Sequence, residues 1–370
     1  MPRQTSNSTR GKSKSEPDIA SPSSREAQMR MAAKGPSLKM LAQHLGLAPA
    51  TVSVVLNNSP VAATIPVSTR ERIFAAARAL GYRPNFLARS LRAGRSFTIG
   101  VIVPEVSEGY AALVLSGIED YLLTAGYFYF VASHRHRSDL IEEYPRLLLE
   151  RAVEGFIMVD TPLKTAPRAP AVSVSGHHAL PGVTNIRLDH RLAARQALAH
   201  LQSLGHSRIA FIKGQPFSSD TQTRWEAIQH AAAELGLEIS PDRVVQLSGD
   251  FPTPEPGLQA TRQLLARQSD FSALFAFNDM SAIGALRALR ESRRIPEEVS
   301  IVGFDDIESA AFQHPALTTV RQPLRAMGEL AARTLLARIQ AGKSGDHPRI
   351  MTVKPELVIR ASTAPCPCPP

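Results

Sequence analysis

The sequence predicts an α/β protein with a small all-helical head followed by a two-lobed core of two doubly wound parallel sheets. Two observations carry this prediction. Residues 37–96 contain helical patterns only, whereas apolar runs of strand length alternate with helical stretches from residue 97 onward. Alternating strands and helices are typical of a parallel sheet that is covered by helices on both faces.

The positive charge is concentrated in the residues that precede the core in the sequence. The chain carries a net charge of +9, and residues 37–96 alone hold eight Lys or Arg against one Glu. Residues 1–36 hold seven basic against three acidic residues, so the part after residue 96 has a net charge of −2. This asymmetry predicts a polyanionic partner for the first quarter of the chain. A basic surface that serves only solubility is the alternative.

The composition excludes several classes of protein. Hydrophobic residues make up 44% of the 370-residue chain, and no apolar run approaches the ~18 residues that span a bilayer. The beginning of the sequence lacks the apolar region of a secretory signal, so we expect a cytoplasmic protein with no membrane partner. The cysteines, Cys366 and Cys368, lie in a proline-rich tail and predict no disulfide framework. Two thiols do not complete a zinc shell, and the sequence predicts neither a metal nor a cofactor.

The first two helices of the head form a helix-turn-helix pattern. Four apolar residues share one face of the first helix, Gly46 ends it, and three apolar residues line the inner face of the second. These apolar residues are Leu38, Leu41, Ala42 and Leu45 in the first helix, and Val52, Val55 and Leu56 in the second. The same pattern occurs in helical hairpins that bind nothing, so the downstream arginines are needed to favour DNA binding.

Two further helices are expected in the head. Ser68 to Glu71 reads as a capping box that begins a third helix, and Gly81 ends it. Asn85 is suited to cap a short fourth helix, FLARSLR, which is rich in arginine.

The core contains enough strand patterns for two sheets of about five or six strands each. The clearest are residues 97–103, 127–133, 154–160, 170–176, 208–214, 272–279 and 299–306. Two doubly wound halves predict a ligand cleft at the carboxyl ends of their strands.

Several stretches together resemble the LacI family of bacterial transcription regulators. They are LAQHLGLAPATVSVVLN, RPNFLARSLRAGRS, LQSLGHSRIAFIKG, ALFAFNDMSAIGALRAL and VSIVGFDDI, and the resemblance covers about residues 37–361. It implies a core like that of periplasmic sugar-binding proteins. The expected divisions are a disordered basic arm (1–36), a helix-turn-helix domain (37–84), a hinge helix and linker (85–96), the effector-binding and dimerisation core (97–361) and a disordered tail (362–370). Lobe one would comprise residues 97–190 and 321–349, and lobe two residues 191–320 and 350–361.

In this family the second helix enters the major groove of DNA. The resemblance assigns this role to exposed positions of the second helix: Pro49, Ala50, Thr51, Ser53, Val54 and Asn57. Hydroxyls can bind phosphate, whereas the apolar side chains can contact thymine methyl groups and cannot identify guanine. Residues 60–66 form a longer connection to the third helix than is usual in the family.

The FLARSLR segment resembles the family's hinge helix, which lies in the minor groove. Its implied DNA-binding residues are Asn85, Ala88, Arg89, Leu91 and Arg92. Leu91 would insert into the central base step, and the arginines would neutralise phosphates. Packing of Leu91 against the next domain is the alternative.

The resemblance and the strand ends together suggest effector-binding residues. These are Tyr110, Asp189, Gln222, Arg224, Phe251, Asn278 and Asp305. Carboxylates and amides suit the hydroxyl groups of a sugar. Asp279 and Asp306 are alternatively read as helix caps. The chain departs from the family at Gln222, where an arginine is common, and at Glu108, Gly109 and Tyr110, where an Asn-Pro-aromatic motif is common.

Histidines follow two strands of the first half. His134, Arg135, His136, His177 and His178 would favour an anionic effector if they lined the cleft, and are otherwise exposed loop residues.

We therefore expect a homodimeric repressor that binds a near-palindromic DNA operator and responds to a small effector, a sugar or sugar derivative. It is not expected to be an enzyme, because GxGxxG, P-loop, HExxH and GxSxG motifs are absent. A sugar-binding protein or a catalytic domain fused to a DNA-binding head is the alternative.

Overall fold

The computed structural model describes residues 36–57, 59–82, 90, 94–107, 109–177, 179–249, 253–267, 270–342 and 347–367. The chain divides into two compact units, Met1–Gly94 and Arg95–Pro370. Several predictions lie outside the described residues. They are the basic arm up to residue 35, the hinge residues Asn85, Ala88, Arg89, Leu91 and Arg92, and the effector residue Phe251.

The described part of the first unit is helical and contains the predicted helix-turn-helix. Helices α1 (Leu38–Leu45), α2 (Pro49–Leu56) and α3 (Val67–Ala79) surround a small apolar core. A 3₁₀ helix, Pro60–Thr64, precedes α3 and buries Ala62 in that core. The long connection after α2 therefore contributes to the packing of the head. The fully buried core residues are Leu41, Ala42, Val52, Val55, Ala62, Ile73 and Ala77.

The boundaries of these helices follow from local chemistry. The Ser37 hydroxyl accepts a hydrogen bond from the Met40 amide at the start of α1, and Gly46 ends the helix with a left-handed φ of +64°. The predicted capping box at the start of α3 is wrong. Pro66 occupies the N-cap position, and its carbonyl accepts from the amides of Thr69 and Arg70, so the helix begins before Ser68 can act as a cap.

The second unit contains two six-stranded sheets within the described residues, as predicted. The strands are β1 (Thr98–Val103), β2 (Phe128–Ser133), β3 (Gly155–Val159), β4 (Ala171–Val174), β5 (Val183–Leu188), β6 (Ile209–Lys213), β7 (Val244–Gln246), β8 (Ala273–Phe275), β9 (Ser300–Asp305), β10 (Thr318–Arg321), β11 (Ile350–Val353) and β12 (Glu356–Val358). The order of the first sheet is β11-β5-β4-β3-β1-β2, and that of the second is β12-β10-β9-β8-β6-β7. Neighbouring strands are parallel except for β12, which is antiparallel to β10.

Helices cover the sheets, and the chain passes repeatedly between the two lobes. It leaves the first sheet after β5, returns after β10, and crosses again between β11 and β12. The helices are α4 (Tyr110–Thr124), α5 (Ser138–Leu149), α6 (His190–Ser203), α7 (Ser219–Glu234), α8 (Glu255–Ala266), α9 (Asp279–Leu289), α10 (Glu308–Ala311) and α11 (Leu324–Ala341), with a 3₁₀ turn at Pro241–Arg243.

The last crossing corrects one predicted lobe boundary. Strand β11 pairs with β5 of the first sheet, with Ile350 opposite Asn185. Residues 350–353 therefore belong to lobe one, whereas the resemblance had assigned residues from 350 onward to lobe two. Strand β11 alternates between exposed and half-buried residues, so its sequence lacks the apolar run that marks the central strands.

The prediction of a disordered tail from residue 362 is wrong for residues 362–367. The Ser362 hydroxyl is buried and accepts a hydrogen bond of 2.8 Å from the Thr318 amide. The Cys366 amide donates to the Leu204 carbonyl over 2.7 Å. The first bond attaches the segment to β10, and the second satisfies a backbone amide of the proline-rich stretch. Cys368 lies outside the described residues.

Two glycines allow helices α4 and α11 to approach closely in lobe one. A Cβ atom on Gly117 would lie 1.9 Å from the Arg325 carbonyl oxygen, and one on Gly328 would lie 2.0 Å from the Val114 carbonyl oxygen. We expect Gly117→Ala to lower the free energy of unfolding by about 1–3 kcal/mol or more, because the backbones must separate. Urea unfolding of the variant measures this, with Ser116→Ala on the same helix as the control. An unchanged midpoint for Gly117→Ala would show that the helices can shift at no cost.

Candidate functional site

A cavity of about 120 Å³ lies where the carboxyl ends of strands from both sheets meet. Residues that directly follow β1, β3 and β8 line it, as does Asp305 at the end of β9. The parallel topology dictates this position, because strands of each sheet end at the same edge. The structure thus contains the predicted cleft.

The structure brings four of the predicted effector residues to this cavity. They are Tyr110, Arg224, Asn278 and Asp305. Asp189 does not line it, because its carboxylate caps helix α6 by accepting a 3.0 Å hydrogen bond from the Leu192 amide. Gln222 is exposed and donates to Glu226 over 2.7 Å. Two residues correspond to about 200° around a helix, so Gln222 faces away from the side that buries Arg224.

Arg224 is buried, with 3% of its surface exposed, and its guanidinium is already engaged. It donates to the Asp220 carboxylate over 2.8 Å and to the Phe277 carbonyl over 2.5 Å. The aromatic rings of Phe304 and Phe277 lie against it, with centroids 3.7 and 4.4 Å away. Cation–π contacts and a charge-assisted hydrogen bond hold the group in one position.

Asp220 is the centre of a buried charged cluster that the sequence analysis missed. His177 lies 2.5 Å from its carboxylate, and His190 lies 3.4 Å from the same oxygen. Burial alone would raise the pKa of Asp220, but His190, His177 and Arg224 together hold it well below its ordinary value. Asp220 and Arg224 stand four residues apart on α7, a spacing that could have indicated the pair.

The same cluster has the atom types of a metal site, since the ligand atoms of His177, His190 and Asp220 lie within 4.8 Å of one another. Arg224, however, binds the second oxygen of the Asp220 carboxylate. A guanidinium on the same carboxylate repels a divalent cation and supplies the compensating charge itself. The cluster is better described as an ion-pair network.

Asp160 joins the two lobes at the edge of the cavity. It follows β3 of the first sheet and accepts hydrogen bonds from the Ser219 amide (3.0 Å) and hydroxyl (2.6 Å) at the start of α7. Burial, and then the nearby charge of Asp220, raise the pKa of Asp160. His177 of lobe one and Asp220 of lobe two form a second connection between the lobes.

Asp305 is buried in the cavity wall without a cationic partner among the described residues. Its carboxylate accepts a 2.6 Å hydrogen bond from the Gln322 amide nitrogen, and 6% of its surface is exposed. Burial raises its pKa to about 7, although Arg224 and the Gln322 hydrogen bond act in the opposite direction. Its φ of +110° is unusual for a residue with a side chain and fixes the carboxylate at the strand end.

Tyr110 and Asn278 contribute polar groups to the same cavity. The Tyr110 hydroxyl donates to Ser175 over 2.7 Å, and burial holds the pKa of the phenol well above its ordinary value. Asn278 also caps helix α9, because its side-chain oxygen accepts a 2.9 Å hydrogen bond from the Ser281 amide. Cavity lining and helix capping are thus combined in one residue.

The neighbouring aspartates are not helix caps. Asp279 is fully buried and accepts from the Thr319 hydroxyl (2.6 Å) and the Ile307 amide (2.9 Å), which ties β10 to the loop after β9. Asp306 forms ion pairs with Arg321 and Arg360. Both carboxylates support the strand ends that carry the cavity.

The histidines that follow the two strands do not all reach the cavity. His134 is fully buried and does not line it. Its Nδ1 accepts from the His136 amide, and burial and then the charge of His136 lower its pKa to about 4. The His136 ring stacks on Phe217 at 3.9 Å in the cavity wall, and His177 pairs with Asp220. Arg135 is exposed and His178 lies outside the described residues. An anionic effector was expected only if the whole set lined the cavity, and His136 is the member of the set that does so among the described residues.

The predicted DNA-facing side of helix α2 is only partly exposed. Pro49, Ala50 and Asn57 are exposed, whereas Thr51, Ser53 and Val54 are half-buried. Val54 packs against the apolar core of the head, so it presents less surface than predicted. The Asn57 amide nitrogen donates to the Ser53 carbonyl over 2.8 Å at the end of the helix.

Comparison with known proteins identifies the family. Residues 37–85 match the model for bacterial regulatory proteins of the lacI family, and residues 198–363 match the periplasmic binding protein-like domain. The HTH-type transcriptional repressor PurR of Haemophilus influenzae is 32% identical over 339 residues, which cover 88% of this chain and 98% of that protein. The chain belongs to the lacI family of bacterial regulatory proteins.

Solved structures agree with this assignment. The Lac repressor dimer bound to operator and the anti-inducer ONPF has a TM-score of 0.76 and 26% identity, with 90% of this chain and 100% of that chain covered. The regulator CelR in complex with cellobiose has a TM-score of 0.64 and 30% identity, with 88% and 99% covered. The present chain is accordingly a ligand-responsive, DNA-binding transcriptional regulator. Among its described helices, none has the length and apolar character required to cross a membrane.

Proposed function

We propose that this protein is a homodimeric repressor whose affinity for a near-palindromic operator changes when a small polyhydroxylated effector enters the cavity between its lobes. The observation that carries the proposal is the convergence of Tyr110, Asn278 and Asp305 on one cavity at the strand ends of both sheets. Hydroxyl, amide and carboxylate groups match the hydrogen-bonding needs of a sugar. The cellobiose complex of CelR supports an effector of this class.

An exposed apolar edge of lobe one supports the dimer. Strand β2 lies at the edge of the first sheet and exposes 58% of Phe128, 36% of Phe130 and 38% of Val131. An apolar edge strand of this kind is an aggregation hazard unless another chain covers it. The dimeric state of the similar Lac repressor suggests that a second copy does so.

The head would supply both modes of DNA contact. Helix α2 would lie in the major groove, with Thr51 and Ser53 on phosphates and Ala50 against thymine methyl groups. Leu91 would insert into the central step of the minor groove, and Arg89 and Arg92 would bind phosphates. Affinity should then fall steeply with salt, because these contacts release counterions.

A regulator and a fused enzyme or transport protein differ in a simple assay. We propose that the core has no catalytic activity, as is expected of the relatives that are repressors. Incubation with a panel of sugars should leave them unchanged, and turnover of any of them would favour the catalytic alternative. Because its partner would be chromosomal DNA, we propose the cytoplasm as the place of action.

Selection from a random pool of DNA duplexes tests the proposed function as a whole. We expect the full chain to enrich one inverted-repeat sequence, and a sugar mixture to change its retention on that sequence. Equal retention of selected and random duplexes, with and without sugars, would refute the proposal.

A single substitution should unfold the head and leave the core folded. Leu41 is fully buried in the small apolar core of the head, so Leu41→Ala should cost about 2–5 kcal/mol. A domain of this size has little stability to lose, and we expect operator binding to disappear. The thermal transition of the core should persist in calorimetry, and Met40→Ala at an exposed position is the control. Retained operator affinity in Leu41→Ala would contradict this expectation.

A further inference from the structure

We infer that the effector of this protein carries a protonated amine next to its hydroxyl groups, as an amino sugar does. The inference rests on the proposed function and specifies the ligand class of the same cavity. It starts from the charges that line the cavity and from the partners that each of them already has.

Carboxylates outnumber cations in the described cavity wall. Asp160, Asp220 and Asp305 line it, and the Arg224 guanidinium in the same wall pairs with Asp220. A cavity lined by one sign of charge concentrates ligands of the opposite sign. The surplus of negative charge disfavours a phosphate or a sugar acid.

Arg224 is not placed to receive an anionic group. Its two terminal nitrogens donate to Asp220 and to the Phe277 carbonyl, and the rings of Phe277 and Phe304 lie against the guanidinium. Binding a carboxylate or phosphate there would require the Asp220 ion pair to break in a buried setting, which is costly.

Asp305, unlike Arg224, is available to a charged ligand. It is a buried carboxylate whose charge is not neutralised by an ion pair among the described residues. The Gln322 amide supplies one hydrogen bond to one of its oxygens and no charge. A buried anion of this kind is stabilised by a cation, a proton or hydrogen-bond donors. An ammonium group supplies the charge together with three hydrogen-bond donors.

The remaining lining suits a small cation with hydroxyl groups. The aromatic residues Tyr110, Phe217 and Phe277 line the cavity together with the amide residues Gln215 and Asn278. Aromatic faces attract ammonium groups, and amides bind hydroxyls.

A matched series of ligands on one sugar ring tests the inference. Isothermal titration of the full chain with glucosamine, N-acetylglucosamine, glucose and glucuronate compares a cationic, an acylated, a neutral and an acidic form. The same series with galactosamine covers the other common ring configuration. We expect an amine to bind at least tenfold more tightly than its acylated and neutral counterparts, and the acids to bind most weakly.

Two variants connect this preference to the cavity. Asp305→Asn keeps the shape and the Gln322 hydrogen bond but removes the charge, so the advantage of the amine over the neutral sugar should disappear. Asp270→Asn removes an exposed carboxylate that pairs with Arg208 on the surface, and it should leave the preference intact. Circular dichroism confirms that each variant is folded.

The outcomes separate this inference from the proposed function. Tighter binding of a neutral or acidic sugar than of any amine, or an amine preference that survives in Asp305→Asn, would overturn the inference. The inference would also be overturned if neither glucosamine nor galactosamine bound. None of these results would affect the operator selection, which decides the proposed function by itself.

Discussion

Asp305→Asn is expected to stabilise the core at pH 8 when no effector is added. Burial raises the pKa of this carboxyl from an ordinary 3.8 to about 7 in the folded protein. A raised pKa means that the folded state binds the proton more tightly than the unfolded chain. Its contribution to stability is therefore complete below about pH 4 and is lost as the pH rises through 7.

The size of this effect follows from the shift. Each pKa unit corresponds to about 1.4 kcal/mol, so a charged Asp305 costs the fold up to roughly 4 kcal/mol above pH 7. The groups facing it include Arg224, Asp220 and Asp279, and they remain in the variant. Asparagine cannot ionise, and its oxygen can keep the Gln322 hydrogen bond.

Unfolding by urea at several pH values measures the prediction. The gain from Asp305→Asn should be small at pH 4 and should grow towards pH 8, whereas Asp270→Asn should show no such trend. The same variant should lose the response of operator binding to effector. A destabilised variant at pH 8 would show that the carboxylate has a compensating partner.

Arg224→Met is expected to cause the largest loss of stability in the core. The Arg224 guanidinium pairs with Asp220 and lies against the rings of Phe277 and Phe304. The substitution removes this group. Breaking a buried pair by removing one partner typically costs about 3–5 kcal/mol, because the other charge stays buried. Methionine preserves much of the apolar contact, so the loss reports mainly on the charge.

A double-mutant cycle checks this explanation. Asp220→Asn combined with Arg224→Met should be more stable than Arg224→Met alone, because the buried carboxylate that has lost its guanidinium is gone. Arg262→Met, which removes an exposed pair with Glu291, should change stability by less than about 1 kcal/mol. Strict additivity of the two core substitutions would contradict the buried-charge argument.

The architecture could be predicted because its signals are local. The seven long apolar runs all became strands. Six of them are buried on both faces and must be apolar along their length, whereas β2 is an edge strand whose apolar side chains are partly exposed. The short edge strands β7, β11 and β12 were not recognised, because three or four half-exposed residues give no periodicity. Tail residues 362–367 look featureless in sequence, and their order depends on partners far away in the chain.

The site was predictable where topology alone places a residue. Asn278 and Asp305 lie at the carboxyl ends of parallel strands, which is the edge of the sheet that carries the cavity. Asp189 also follows a strand, β5, but its carboxylate caps helix α6. Gln222 is suggested by the resemblance alone, and it lies on the exposed face of α7. The pairing of His177 with Asp220 joins residues 43 positions apart, which no local pattern reveals.

The repeated passage of the chain between the lobes limits how such a regulator can be rearranged. Each lobe is assembled from separate stretches, and any cut between β6 and β11 would divide both. The head, in contrast, is one continuous piece that ends by Gly94. Gene fusion can thus replace the whole DNA-binding head on an intact core. A single lobe transferred as one continuous stretch would lack its edge strand, β11 or β12.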